Sequence, residues 1–159
     1  MRSGIGYDIH RLRKGRKLYL GGVLIPHDRG LAGHSDADAA LHALCDAMLG
    51  AAGLKDIGYH FPDTDRRFKN VSSLKLLEHT GKLVKKAGFR LNNADITIIA
   101  ERPKISAYAD GMKKAIAAAL GVKPGCIGIK ATTNEGVGEI GRGKAISACA
   151  IATLKGKNK

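Results

Sequence analysis

The chain has 159 residues, 44% of them apolar and 4% aromatic, which is one domain's worth of sequence with enough apolar matter for an ordinary core. Three cysteines, Cys45, Cys126 and Cys149, are too scattered and odd in number for a disulfide framework or a thiolate zinc cage. The formal charge of +13 suits an anionic partner, but the cations are dispersed and stacking rings are scarce, so a small anionic substrate is expected and nucleic acid is not.

No apolar run reaches the roughly 18 residues of a membrane span, and no signal-peptide core opens the chain, so a cytoplasmic protein with no membrane partner is expected. From Ser3 to His10, Ile5, Tyr7 and Ile9 alternate with Asp8 and His10, the period of a strand. Leu18, Leu20, Val23 and Ile25 around Gly21 and Gly22 read as a second strand bent at the glycines, a plausible hairpin partner of the first. Ser35 or Asp36 caps a helix that runs to about Gly53, with Ala37, Ala40, Leu41, Leu44 and Met48 inward. Residues 72–87 form a second helix with Leu74, Leu77, Leu83 and Val84 inward. A strand follows at 94–100, then a helix over 106–120 with Gly121 and Pro124 beyond it, and strands at 126–132 and 145–154. The order β-β-α-α-β-α-β-β is an α+β layer, a mixed sheet with helices on one face. One domain spans 1–159, with a basic, flexible tail expected from about residue 156.

Asp8 and His10 on one strand face supply two ligands of an open metal site, and His42 is the best third. On the first helix Asp38, His42 and Asp46 fall at i, i+4 and i+8. A ligating histidine commonly gives its second ring N–H to a carboxylate, and Asp46 or Asp38 is placed to receive it. The bland alternative is a partly buried histidine in an ion-paired helix; the strand pair and the helix stripe together favour metal, and Asp8, His10 and His42 suit zinc. His34 and Ser35 precede that helix, where an anion finds donors or where Ser35 and Asp36 simply cap. Asp56, Gly58, Pro62, Asp63 and Asp65 lie in a turn-rich loop whose carboxylates can also grip a polyol.

Residues 134–144 mimic two nucleotide motifs. Gly136, Gly138 and Gly141 match G-x-G-x-x-G, and Gly138, Gly143 and Lys144 match most of a P-loop. Too little chain follows for a dinucleotide-binding unit, and Ala145 stands where a P-loop needs Ser or Thr. The segment reads as a loop between strands, with Thr132, Thr133, Glu135 and Arg142 as its chemical residues.

These residues together resemble the 2-C-methyl-D-erythritol 2,4-cyclodiphosphate synthase family over nearly the whole chain. The matching motifs include Gly6-Tyr7-Asp8-Ile9-His10, His34-Ser35-Asp36, Leu41-His42-Ala43-Leu44, Asp56-Ile57-Gly58, Phe61-Pro62-Asp63-Thr64-Asp65, Pro103-Lys104, and Lys130-Ala131-Thr132-Thr133 leading to Gly141-Arg142-Gly143. The resemblance implies a ferredoxin-like subunit in a homotrimer with active sites between subunits. It implies zinc on Asp8, His10 and His42, and magnesium or manganese held by Glu135 on the diphosphate of a cytidylyl substrate. Asp56, Gly58 and Asp63 are implied at the methylerythritol moiety, and His34 and Ser35 at the phosphates. Ala100, Glu101, Arg102, Pro103, Lys104, Ile105 and Ser106 with Ala131, Thr132 and Thr133 are implied at the cytidine, and Ile57, Phe61, Pro62, Thr64, Asp65, Asn134, Glu139 and Arg142 join the implied substrate contacts. The implied reaction is attack of the substrate's 2-phosphate on its own β-phosphorus with loss of CMP, His34 and Thr133 stabilising the pentacoordinate phosphorus. Glu139, where the family commonly has an aromatic residue, and Lys144-Ala145, where it has an acid and a glycine, depart from the pattern and imply a more polar axial cavity.

Two other functions compete. A zinc hydrolase would use the same three ligands but lacks an obvious general base such as that of H-E-x-x-H. An RNA-binding module would rest on the +13 charge alone.

Overall fold

Alternation carries the first strand well beyond the Asp8-His10 pair: β1 runs Arg2–Lys14 in the computed structural model, which describes residues 1–68 and 70–156. The strand expected at 18–25 is two strands, β2 (Leu18–Leu20) and β3 (Val23–Ile25), folded on each other. Gly21 and Gly22 both take positive φ, 57° and 79°, which tightens the expected bend into a hairpin of its own. The expected β1 hairpin is therefore corrected: β1 pairs with β4 (Arg29–Leu31).

The first helix, α1 (Ala39–Ala52), starts later than expected, because Asp38 is its N-cap and neither Ser35 nor Asp36 is. The Asp38 carboxylate takes N–H bonds from Leu41 (3.1 Å), Gly21 (2.9 Å) and Gly22 (2.7 Å). One buried side chain thus starts the helix and fastens the β2–β3 turn to it. A single turn, α2 (Ile57–His60), follows, too short to leave a periodic trace. Ser72 caps α3 (Ser73–Lys86) as expected, though its buried face is Leu76, Leu77, Thr80 and Val84. Leu74 and Leu83 are only half-buried. β5 is Phe89–Ile99, α4 is Ala109–Leu120 behind a 3-10 turn, and β6 is Ile127–Thr132. The glycine-rich loop holds one helical turn, α5 (Gly138–Gly141), before the closing strand β7 (Ala145–Gly156). The tail expectation falls on residues 157–159, outside the described ones.

The main sheet has the order β4-β1-β7-β5-β6, antiparallel except for β5–β6. This is the mixed α+β architecture expected. On one face, Ala148, Ala150, Ala152 and Leu154 of β7 and Ile96 and Ile98 of β5 are buried beneath α1, α3 and α4. The other face leaves Ile5, Tyr7, Ile9 and Ile151 exposed. Gly4 and Gly6 bring α1 down onto β1: a Cβ on either would stand 2.2 or 2.0 Å from the carbonyl oxygen of Ala47 or Ala43. No helix among the described residues is long and apolar enough to cross a membrane.

Candidate active site

That close approach carries His42 of α1 to the strand that holds Asp8 and His10. Asp8 Oδ2 lies 2.9 Å from His10 Nε2 and 3.0 Å from His42 Nδ1, and the two ring nitrogens are 3.2 Å apart. Second partners fix the tautomer of His10. A carbonyl only accepts, so its Nδ1 donates to the Ala32 carbonyl oxygen at 2.9 Å, and in the neutral ring Nε2 keeps its lone pair. When both rings are neutral toward Asp8, three lone-pair atoms face one another, a donor set that takes up a cation, either a proton or a metal ion. Two ligands about 2.0–2.1 Å from a tetrahedral ion are roughly 3.3 Å apart, close to the separations here, so the residues fit such an ion.

Electrostatics agree with the geometry. Burial opposes ionisation of Asp8, but hydrogen bonds and charge from His10 and His42 outweigh it and hold the carboxyl below its ordinary range. Burial likewise opposes charge on His42, and the Asp8 carboxylate overrides it, raising its pKa.

The carboxylates expected to orient His42 do not reach it. Asp38 is spent on the helix cap and the β2–β3 turn, burial pushing its pKa up against the amide donors that favour the anion. Asp46 accepts the Ile57 N–H at 2.7 Å and so fastens α2 to α1. A helical stripe places side chains on one side of the helix axis, but their bonding is decided by whichever backbone donors pack nearby. Ser73 takes that position instead, its Oγ 3.0 Å from His42 Nε2, with Ser35 Oγ at 3.3 Å. Helix periodicity held no sign of this, because a serine in the first turn of a helix reads as ordinary capping.

His10, His42, His34, Ser35, Ile57, Gly58, Phe61 and Asp63 line one cavity of about 290 Å³, with Gly33, Phe68 and Leu76 added by the fold. His34 Nε2 is buried and bonds to no group among the described residues. Asp56, Pro62, Thr64 and Asp65 are not in its wall. Asp56 caps α2 by accepting the Tyr59 N–H, and Asp65 pairs with Arg67.

A second cavity, about 780 Å³, gathers His27, Ala100, Glu101, Arg102, Pro103, Lys104, Ile105, Ser106, Ala131, Thr132 and Thr133 at the ends of β5 and β6. Glu101 accepts the N–H groups of Asn134 (2.8 Å) and Gly136 (3.2 Å), and Thr133 Oγ1 donates to Glu135 at 2.7 Å. The glycine-rich loop is thereby anchored beside this cavity. Arg142 lines a third hollow with His27, Asp28, Arg29, Glu101 and Arg102, and pairs with Glu139 at 2.8 Å. Glu139 also faces Lys144 at 3.6 Å, and the Arg142 guanidinium beside it lowers its pKa.

The first two of these cavities share no lining residue among the described residues. Asp8, Ala148, Ile98 and Ala131 are in register across β1, β7, β5 and β6, three strand spacings or about 14 Å.

The YgbB family model matches residues 1–155. The 2-C-methyl-D-erythritol 2,4-cyclodiphosphate synthase of Desulfosudis oleivorans is 55% identical over 154 residues, covering 97% of this chain and 92% of that one. The bifunctional IspDF of Campylobacter jejuni superposes with a TM-score of 0.95 at 41% identity, over 99% of this chain and 42% of its own. A CDP-bound 2C-methyl-D-erythritol-2,4-cyclodiphosphate synthase gives a TM-score of 0.89 at 38% identity, covering 97% of this chain and 100% of the other.

Proposed function

The chain belongs to the YgbB family, that of the 2-C-methyl-D-erythritol 2,4-cyclodiphosphate synthases, and from that premise we propose that it converts 4-diphosphocytidyl-2-C-methyl-D-erythritol 2-phosphate to the cyclic diphosphate and CMP. A 2-phosphate oxygen forms a bond to the β-phosphorus, the bond from that phosphorus to the bridging oxygen breaks, and CMP leaves with the electron pair. The chemistry is that of a cyclising phosphorus–oxygen lyase in isoprenoid biosynthesis and needs no protein nucleophile. The observation that carries the reading is the convergence of Asp8, His10 and His42 beside a cavity where His34 Nε2 has no partner among the described residues.

Two anionic groups must meet, so the site's work is to hold them in line and offset their charge. Asp8, His10 and His42 hold zinc, and Glu135 holds magnesium or manganese, an ion that commonly takes one carboxylate together with substrate phosphates. When bound, the ions supply Lewis-acid neutralisation of phosphate oxygens. His34 and Ser35 donate to a phosphate from the metal cavity, with Ile57, Gly58 and Asp63 against the methylerythritol. Thr133, at the rim of the second cavity, stabilises the phosphorus from the other side, and residues 100–106 with Ala131 and Thr132 seat the cytidine.

The three strand spacings, about 14 Å, between Asp8 and Ala131 of the second cavity support a site completed between subunits. The uncovered sheet face, with Ile5, Tyr7, Ile9 and Ile151 exposed, supports a second and third copy as its cover in a cytoplasmic homotrimer. Incubation with the cytidylyl substrate tests the function. Cyclic diphosphate and CMP in equal amounts are expected, and His42→Ala should abolish both while leaving the oligomer intact. A linear product would replace the synthase with a zinc hydrolase, and full activity in His42→Ala would overturn the metal site.

A further inference from the structure

The second nitrogen of His42 meets a hydroxyl whose own proton is already committed. Ser73 is fully buried, and its Oγ donates a short hydrogen bond to Asp36 Oδ1. Its backbone N–H reaches Asp36 Oδ2 at 3.0 Å. An ionised carboxylate only accepts, so the single hydroxyl proton points at Asp36. Toward His42 Nε2, 3.0 Å away, Ser73 Oγ can then only accept. The ring must donate there, which in the neutral imidazole leaves the lone pair on Nδ1, the nitrogen that faces Asp8 and His10. Ser35 Oγ, farther off at 3.3 Å from the same ring nitrogen, takes the Ala37 N–H on one lone pair and can accept from the ring on the other, so the nearer Ser73 sets the polarity.

We propose that Asp36 and Ser73 are positioning residues for metal binding: a carboxylate two hydrogen bonds from the imidazole sets the tautomer and orientation of His42 through a buried hydroxyl. The inference rests on the metal reading of Asp8, His10 and His42. Its logic is that of the carboxylate–histidine–metal chain, with a serine interposed. The negative charge of Asp36, relayed along the chain, makes Nδ1 a better donor. Asp36 itself is fixed from two elements, by Ser73 at the start of α3 and by its own N–H to the Val71 carbonyl oxygen at 3.3 Å, so the relay starts from an anchored group.

Ser73→Ala isolates the relay from the fold, because the backbone N–H that ties α3 to Asp36 remains. Zinc affinity is measured by chelator competition, and visible absorption is recorded on the cobalt-substituted protein. The same readings are taken on Asp36→Asn, His42→Ala and the unaltered chain, with thermal unfolding of each metal-free protein. Zinc affinity of Ser73→Ala is expected to fall by about 10–100-fold, with shifted cobalt bands and a metal-free unfolding temperature close to that of the unaltered chain. Asp36→Asn should lose less, its amide oxygen still accepting from Ser73. Unchanged zinc affinity and cobalt spectrum in both Ser73→Ala and Asp36→Asn, with zinc lost in His42→Ala, would overturn the relay and spare the metal reading. Failure of the unaltered chain to bind zinc would overturn both.

Discussion

Gly6 lies so close to Ala43 that a Cβ on the glycine would stand 2.0 Å from the Ala43 carbonyl oxygen and 2.8 Å from the Ala47 nitrogen. Both obstacles are backbone of α1 and neither can rotate away. The spacing between β1 and α1 that lets His42 reach Asp8 is therefore set by the absence of a side chain two residues before the metal pair.

Gly6→Ala is expected to push α1 outward, costing about 1–3 kcal/mol of stability and drawing His42 away from Asp8. Denaturant unfolding and zinc affinity, measured on the same variant, should fall together. A stable variant with unchanged zinc affinity would show that the packing tolerates the methyl.

Metal binding should depend on pH in a direction set by His42. Burial opposes its charge, but Asp8 raises its pKa above the ordinary histidine value, so in the metal-free protein it keeps its proton to a higher pH. That proton occupies Nδ1, for which the metal competes. Zinc affinity should therefore climb by about tenfold per pH unit toward the raised value and then level off. The His42–Asp8 ion pair acts oppositely on the metal-free fold. Its stabilisation is complete below the ordinary histidine value and disappears as pH rises through the raised one. Chelator competition and thermal unfolding across the same pH series read the two trends.

Asp38→Ala should be among the more damaging single changes. It removes the α1 cap and leaves the amides of Gly21, Gly22 and Leu41 without their acceptor, a loss of about 2–4 kcal/mol. A drop of that size in denaturant unfolding is expected even though the Asp38 carboxylate bonds to none of Asp8, His10 and His42.

The three thiols should differ in reactivity. Cys45 is fully buried in α1, and burial pushes its pKa up to about 12, so it should resist alkylation in the folded protein. Cys149 is opposite Tyr7 in the sheet register, on the uncovered face, and should be shielded if other copies cover that face. Peptide mapping after brief alkylation should find Cys126 modified first. Rapid labelling of Cys149 would count against the trimer.

The residues of the second cavity came from the family resemblance, which did not include His27, whereas the Asp8-His10 pair and the helix bearing His42 were legible from local period, because alternation and the i, i+4 repeat are written into neighbouring residues. The β1–β4 pairing was not, since Gly21 and Gly22 close a hairpin that removes β2 from the reach of β1. Nor was the short helix of the glycine-rich loop, four residues being barely one turn and too few for the period to repeat.

The sequence by itself determined the donor set that could hold a metal: a carboxylate and an imidazole on one strand face, and a second imidazole on a helix. Tertiary structure alone decided which groups stand behind those ligands. Asp38 and Asp46, one turn either side of His42, are captured by nearer backbone amides, while Ser73 arrives from the start of α3 and is held by Asp36 of the loop before α1. Periodicity describes which side of a helix a residue occupies. The competition of buried carboxylates for donors is settled only when segments some thirty residues apart pack together, because each buried N–H must find an acceptor within about 3 Å.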